Sequence, residues 1–410
     1  MENHVYAERR RVLVERLQHS VALFAPVDVG NSPCGDVNTF FYFTGLRQLG
    51  LACCIMPDGT SILYVPRYRS ERLRWEGDSI IPSLEVAQKL GFDSVVFLGE
   101  ECTRFSVSLF DPAAIWSNLL GDLKDWFEKG LSVGWCKHPL GLRFELLLPE
   151  LHAHVVSIDS EIAHLRRRKT KVEVGHLTRA CDITALAHEA AIYSILDKSP
   201  NELTVRAAVE YLFTEHGAAL AFPSVVASGV NATVLHHKPA NIAIEKNDLV
   251  VVDVGAKFEG YCADISRTYP VSGKFSDRQR YLYEIVLSVQ EAVAEAACPG
   301  MFLRNPEEPE KSLHHIACAI FKEHNLDAYF IHGIGHYLGL DVHDIGSYSE
   351  PLVEGDVITI EPGVYIPEEN IGIRIEDDFW IVSGGAVCLS DSLPRSVEDV
   401  ERLCAEIKTI

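Results

Sequence analysis

The 410 residues are enough for two domains that each bury a core, and 47% hydrophobic with 23% charged residues excludes a disordered or fibrous chain. A formal net charge of −21 argues against general affinity for nucleic acid, because phosphate binding draws on clustered Lys and Arg. The eleven cysteines are odd in number and scattered without CxxC pairs, which favours reduced thiols and a cytoplasmic protein over a disulfide framework.

The start, Met1 to Arg11, is polar and charged, and no run approaches the ~18 apolar residues of a membrane span, so no membrane partner is expected. From Tyr6 to about Asp159, short apolar runs alternate with helical patterns: Val21 to Phe24, Leu51 to Met56, Ile62 to Val65 and Ser94 to Phe97. Strands interleaved with helices predict an α/β domain over residues 1–160. The basic run Arg166-Arg167-Arg168-Lys169 reads as a solvated approach to a helix, with nucleic-acid binding a remote second option.

A second domain, 161–410, opens with a long amphipathic helix over Lys171 to Leu196, marked by Leu177, Ala180, Ile183, Leu186, Ala187 and Ala190. Helices are also predicted over Glu202 to Glu215, Asp277 to Ala297 and Lys311 to Asn325. The strand candidates are Asp248 to Val254, Glu259 to Tyr269, Asp356 to Glu361 and Ile371 to Val382.

The chemistry-bearing residues cluster in this second part. Asp253 ends the β-branched run Leu249 to Val252, and Asp264 follows in Tyr-Cys-Ala-Asp. Two strands joined by a turn near Gly255 to Gly260 would set the two carboxylates side by side; taken alone, one is as well read as a turn residue and the other as a surface acid. An acid ending so apolar a run is costly unless a cation or hydrogen bonds compensate it. Residues 331–343, Ile-His-Gly-Ile-Gly-His-Tyr-Leu-Gly-Leu-Asp-Val-His, place His332, His336 and His343 among glycines that let the backbone approach a site closely. One such imidazole is ordinarily a satisfied core group; three favour a metal site or a proton-transfer centre. Glu361 ends another apolar run, and alternation places Arg374 and Glu376 on one face, where they could form a structural ion pair. Together, four carboxylates and an imidazole suit a pair of hard divalent cations, manganese, magnesium, cobalt or zinc, holding a bridging water of lowered pKa.

The order DVG, YCADISRT, HGIGHYLGLDVHD, EPGVY and GIRIEDD resembles the pita-bread metallopeptidase family, within it the proline-specific aminopeptidase P and prolidase branch. NTFFYFTGL and SILYVPRYRSERLRWEG resemble the N-terminal domain of the same family. The resemblance implies a creatinase/prolidase-like α/β N-terminal domain followed by an α+β pita-bread catalytic domain. It implies Asp253, Asp264, His336, Glu361 and Glu376 as ligands of two divalent ions, most often manganese with cobalt or zinc as options, Asp264 and Glu376 bridging. It further implies Glu361 as general base, His236, His332 and His343 as substrate-orienting groups, Arg374 in contact with substrate or with Glu376, and a homodimer. His236 adjoins His237, and spacing to Asp253 favours the former. The activity implied is hydrolysis of the bond preceding proline in a peptide substrate, as an Xaa-Pro aminopeptidase. An Xaa-Pro dipeptidase is the alternative; a non-catalytic binding module and a methionine aminopeptidase are remote ones, and metal-free creatinase chemistry is disfavoured because every ligand position is filled.

Overall fold

The apolar runs of the first part assemble into one mixed six-stranded sheet. Its spatial order is Ser94–Cys102, Ser61–Tyr68, Ala52–Ile55, Ser20–Phe24, Ser132–Trp135 and Val155–Ser157. The middle pairs are antiparallel, whereas both flanks are parallel. Trp116, Leu119, Leu123 and Phe144 pack beneath it, and the aromatic run Phe40 to Phe43 is buried on the helix Val37–Thr44. This computed structural model describes residues 4–17, 20–29, 32–34, 37–76, 81–103, 107–136 and 139–408, so Met1 to Asn3 and Gly77 of the stretches quoted above lie outside the described residues. The chain divides into two units, Met1–Arg166 and Arg167–Ile410.

In the second unit, helices and strands share one core. The helix Lys171–Ile195 starts on a capping box in which Thr170 and Glu173 satisfy each other's backbone N–H, and Ser276 with Gln279 does the same for Asp277–Ala296. Their apolar faces, with those of Glu202–Glu215 and Leu313–Glu323, cover Val250, Val252, Ile358, Ile360, Ile373 and Ile375. No helix among the described residues is long and apolar enough to cross a membrane.

Two predicted strands are each divided. Glu259 (φ 49°) and Gly260 (φ 89°) adopt left-handed backbone, which turns Ala256–Phe258 back onto Tyr261–Cys262 before Ile265–Pro270 begins. Ile371–Arg374 pairs with Gly363–Ile366, but Asp377–Val382 pairs with Val357–Ile360, so the chain changes partner at Glu376. Alternation of side chains identified strand material in both places but carries no information on where pairing switches.

The basic run corrects a further expectation. It is not a solvated face: Arg166, Arg167 and Lys169 are 2%, 5% and 6% exposed, and only Arg168 reaches solvent. Arg167 forms a two-pronged pair with Asp356, Nε and Nη2 each 2.8 Å from a carboxylate oxygen, and Lys169 donates to Asp344 at 3.0 Å. The acids that neutralise the run lie some 175 to 189 residues along the chain, beyond the reach of a local charge count.

One buried base sets a stability limit. His188 donates Nε2–H to the carbonyl of Ile265 (3.2 Å) and accepts the Tyr269 hydroxyl at Nδ1 (3.0 Å). Burial, then the nearby Arg267 charge, push its pKa down to about 3. Unfolded histidine takes a proton near pH 6.5, so the unfolded chain binds the extra proton between pH 6.5 and 3. Stability from this group is therefore full above pH 6.5 and is lost as pH falls through that window, by up to about 5 kcal/mol. Unfolding free energies measured from pH 7 to 4 should show a shallower pH slope for His188→Gln than for the wild type; equal slopes would exclude this role.

Candidate metal centre

Three chain segments meet at Ser266. Leu249–Val254 pairs antiparallel with Ile265–Pro270 in a register that sets Asp253 opposite Ser266, and Glu376 bridges Ser266 from the other side. Asp264 stands just before that strand, its N–H donated to Asp378. His336 and Glu361 arrive together by a second zipper: Thr359 N–H donates to the His336 carbonyl at 2.9 Å, and Glu361 N–H to that of Ile334 at 2.9 Å. Gly335 is required here, because a Cβ would lie 2.0 Å from the Thr359 carbonyl oxygen.

The geometry fixes the imidazole tautomers. His336 Nδ1 donates to its neighbour's carbonyl at Tyr337 (3.0 Å), so the Nε2 lone pair points at Asp264 Oδ2, 3.3 Å away. A lone pair facing a carboxylate oxygen is repulsive unless a cation or proton lies between them. The donor atoms of Asp264, His336 and Glu376 all lie within 4.8 Å of one another, with Glu361 Oε1 3.8 Å from His336 Nε2. Asp253 Oδ1 is buried without a hydrogen-bond partner, an omission that costs about 1–3 kcal/mol.

The acids repel one another. Burial, with Asp253, Asp378 and Glu361 adding charge, holds Asp264 well above the usual carboxylate range; burial, then Asp264 and Glu361, does the same to Glu376. Glu361 is raised by burial, which outweighs the opposing pull of His336 and Arg374. Arg374 is the one guanidinium placed among them. It donates to Asp253 (2.6 Å), to Ser266 Oγ (2.8 Å) and to the Tyr365 hydroxyl (3.0 Å), while Ser266 passes its own proton to Glu376 (2.7 Å). Glu376 itself lies 3.9 Å from Arg374, so the arginine grips Asp253 first. One cation against four carboxylates leaves a site whose oxygen-rich donor set, with its inward-facing imidazole, fits divalent metal.

All nine sequence-predicted residues line one cavity of about 1020 Å³. Their circumstances differ. His332 donates Nδ1–H to Gly333 (2.8 Å) and accepts the Tyr365 hydroxyl at Nε2 (2.9 Å), and burial, then the Arg374 charge, lowers its pKa to about 4. It is a neutral ring with both nitrogens engaged, 3.7 Å from Glu361. The His343 ring lies tilted, its centroid 4.2 Å from that of His336, and burial, then His336 and His236, lowers its pKa. His236 is exposed to the cavity, whereas its neighbour His237 is committed to Glu202 at 2.8 Å, which separates the two adjacent histidines. Sequence reasoning missed Ser266 and Tyr365. A hydroxyl one strand register from Asp253, and a tyrosine inside EPGVY, were the available signals.

Residues 175–383 match metallopeptidase family M24, and residues 6–108 match the aminopeptidase P N-terminal domain. The Xaa-Pro dipeptidase of Pyrococcus furiosus is 43% identical over 351 residues, covering 84% of this chain and 89% of that one. The Xaa-Pro aminopeptidase of Escherichia coli is 30% identical over 436 residues, 97% of each. Among solved structures, a glutamate-to-alanine variant of Escherichia coli aminopeptidase P in complex with substrate is similar at a TM-score of 0.84 and 25% identity over 100% of both chains. The zinc-substituted form in complex with product gives 0.83 and 25% over 99% of both.

Proposed function

Because the chain belongs to metallopeptidase family M24, in its proline-specific branch, we propose that it releases the N-terminal residue from peptides carrying proline second, as an Xaa-Pro aminopeptidase. It is a metal-dependent hydrolase acting on the peptide bond that precedes proline. Residues 161–410 are its catalytic domain. The observation that carries the assignment is the His336 lone pair aimed into a cluster of repelling carboxylates.

Asp253, Asp264, His336, Glu361 and Glu376 would hold two divalent ions; hard oxygen donors with a single imidazole support manganese, with cobalt or zinc as substitutes. When bound, the pair supplies Lewis acidity for the scissile carbonyl and acidifies the attacking water. Glu361, partly open to the cavity, would accept the attacking water's proton and deliver it to the proline nitrogen, which carries no hydrogen of its own and leaves only once protonated. His236 and His343 have no hydrogen-bond partner among the described residues and stand at the cavity wall, so their ring N–H groups are available to the substrate carbonyl. His332 and Tyr365 buttress Arg374 and Glu361. The ten cysteines whose side chains are described are free thiols, which supports a reducing cytoplasmic setting; a homodimer is the assembly that the family resemblance supports.

A cavity of about 1020 Å³ is at the upper end of the range for ligand pockets and supports substrates longer than a dipeptide. The 43% identity with an Xaa-Pro dipeptidase favours the alternative reading. Incubation of manganese-loaded protein with Ala-Pro and with Ala-Pro-Ala decides between them. Release of alanine from the tripeptide at a kcat/KM at least tenfold above that for the dipeptide is expected; the reverse order would establish the dipeptidase.

A further inference from the structure

Four guanidinium or ammonium groups line the catalytic cavity: Arg206, Lys238, Arg304 and Arg374. Two are spent within the protein, Arg206 on Glu210 at 2.6 Å and Arg374 on Asp253 at 2.6 Å. Arg304 and Lys238 are exposed to the cavity and have no ion-pair partner among the described residues. We propose that Arg304 is a specificity-determining residue that receives the free C-terminal carboxylate of short Xaa-Pro-Yaa peptides. The inference rests on the Xaa-Pro peptidase reading and names the substrate class within it.

The backbone on both sides of Arg304 is pinned. The carbonyl of Leu303 accepts the His314 N–H at 3.0 Å, and the Asn305 N–H donates to Ser312 Oγ at 3.0 Å. Leu303 is itself buried, so the guanidinium projects from a fixed base and not from a free loop. A ladder of rings connects this wall to the reacting centre: Glu361 lies 3.7 Å from His332, the His332 and Phe330 rings are 5.1 Å apart, and the Phe330 and His314 rings 5.4 Å. Arg304 stands close enough to His314 for its charge, after burial, to help hold that ring neutral. His314 lines the same wall, its Nδ1 buried without a hydrogen-bond partner.

Charge favours this direction. With −21 overall, the cations of the cavity wall that have no ion-pair partner among the described residues are the groups that attract a substrate carboxylate away from the metal end. The peptide amine faces the acids, and the carboxylate faces away. Two residues beyond the scissile bond extend about 7 Å, which carries the carboxylate of a tripeptide away from the acids and toward the cavity wall. Its planar fork matches a carboxylate in two-pronged fashion, as the Lys238 ammonium does not.

The test is kcat/KM for Ala-Pro-Ala and for Ala-Pro-Ala-amide with manganese-loaded protein. The wild type should prefer the free acid by about tenfold or more, expressed in KM. Arg304→Gln should lower the rate on the acid to the level of the amide, Arg304→Lys should recover part of it, and Lys238→Gln should keep the preference. Equal rates on acid and amide in the wild type, a preference that survives Arg304→Gln, or one lost in Lys238→Gln alone would overturn the assignment. Cleavage of neither tripeptide would instead overturn the aminopeptidase reading, and the inference with it.

Discussion

Replacing Glu361 with Gln should reduce kcat on Ala-Pro-Ala by about three orders of magnitude, within the span general acid–base groups contribute, while leaving the protein folded. The two side chains have the same shape. Glutamine keeps one oxygen to face His336 Nε2 at the position where Glu361 Oε1 stands 3.8 Å away, but it has no carboxylate to take up a proton and return it. The neighbouring imidazole of His332 does not substitute for it, since both its nitrogens are engaged by Gly333 and Tyr365. Steady-state kinetics with saturating manganese measure the effect, and a variant within tenfold of wild-type kcat would remove Glu361 from the proton path.

Replacing Asp264 with Asn should move stability in opposite directions with and without metal. In chelator the wild type carries Asp253, Asp264, Glu361 and Glu376 against the single Arg374, and Asp264 is held well above its usual range by burial and by those neighbours. Loss of one negative charge relieves about 1–2 kcal/mol of repulsion, which raises the melting temperature of a unit this size by roughly 2–8 °C. With manganese the order reverses. The wild type should gain about 2.7 kcal/mol at a metal concentration a hundred times Kd, whereas the variant, lacking one of the proposed ligands, should gain little. Activity should fall by about three orders of magnitude or more. Thermal melts of both proteins in EDTA and in manganese give the four values required. A variant that melts below the wild type in EDTA, or that is stabilised by manganese as strongly as the wild type, would contradict this account of the cluster.

The candidate site was legible in the sequence because each acid terminates an apolar run, a pattern that carries a desolvation cost and so calls for compensation. Asp253 after Leu249 to Val252 and Glu361 after Val357 to Ile360 are of this kind. The glycines around His336 were legible for the same reason, and Gly335 does lie where no side chain fits. What escaped was pairing at long range. Nothing local marks Ser266 as the hydroxyl that links Arg374 to Glu376, nor does the run Arg166 to Lys169 announce that Asp356 and Asp344 will neutralise it. The turn expected near Gly255 to Gly260 is present at Glu259 and Gly260, whereas the break between Cys262 and Ile265 and the switch at Glu376 were hidden because side-chain alternation continues across a change of strand partner. Arg304 lies in a polar connection between two helices, where only the folded cavity distinguishes it from an ordinary surface cation.

The meeting of three chain segments at Ser266 also bears on how the protein is made. Asp253 and Glu376 stand on either side of that serine, so the pocket between them exists only after the last of the three has been synthesised and threaded into place. A nascent chain still short of residue 376 exposes its acids singly, and single carboxylates hold divalent ions weakly. The complete set of acids is therefore assembled only in a chain that has been made beyond residue 376.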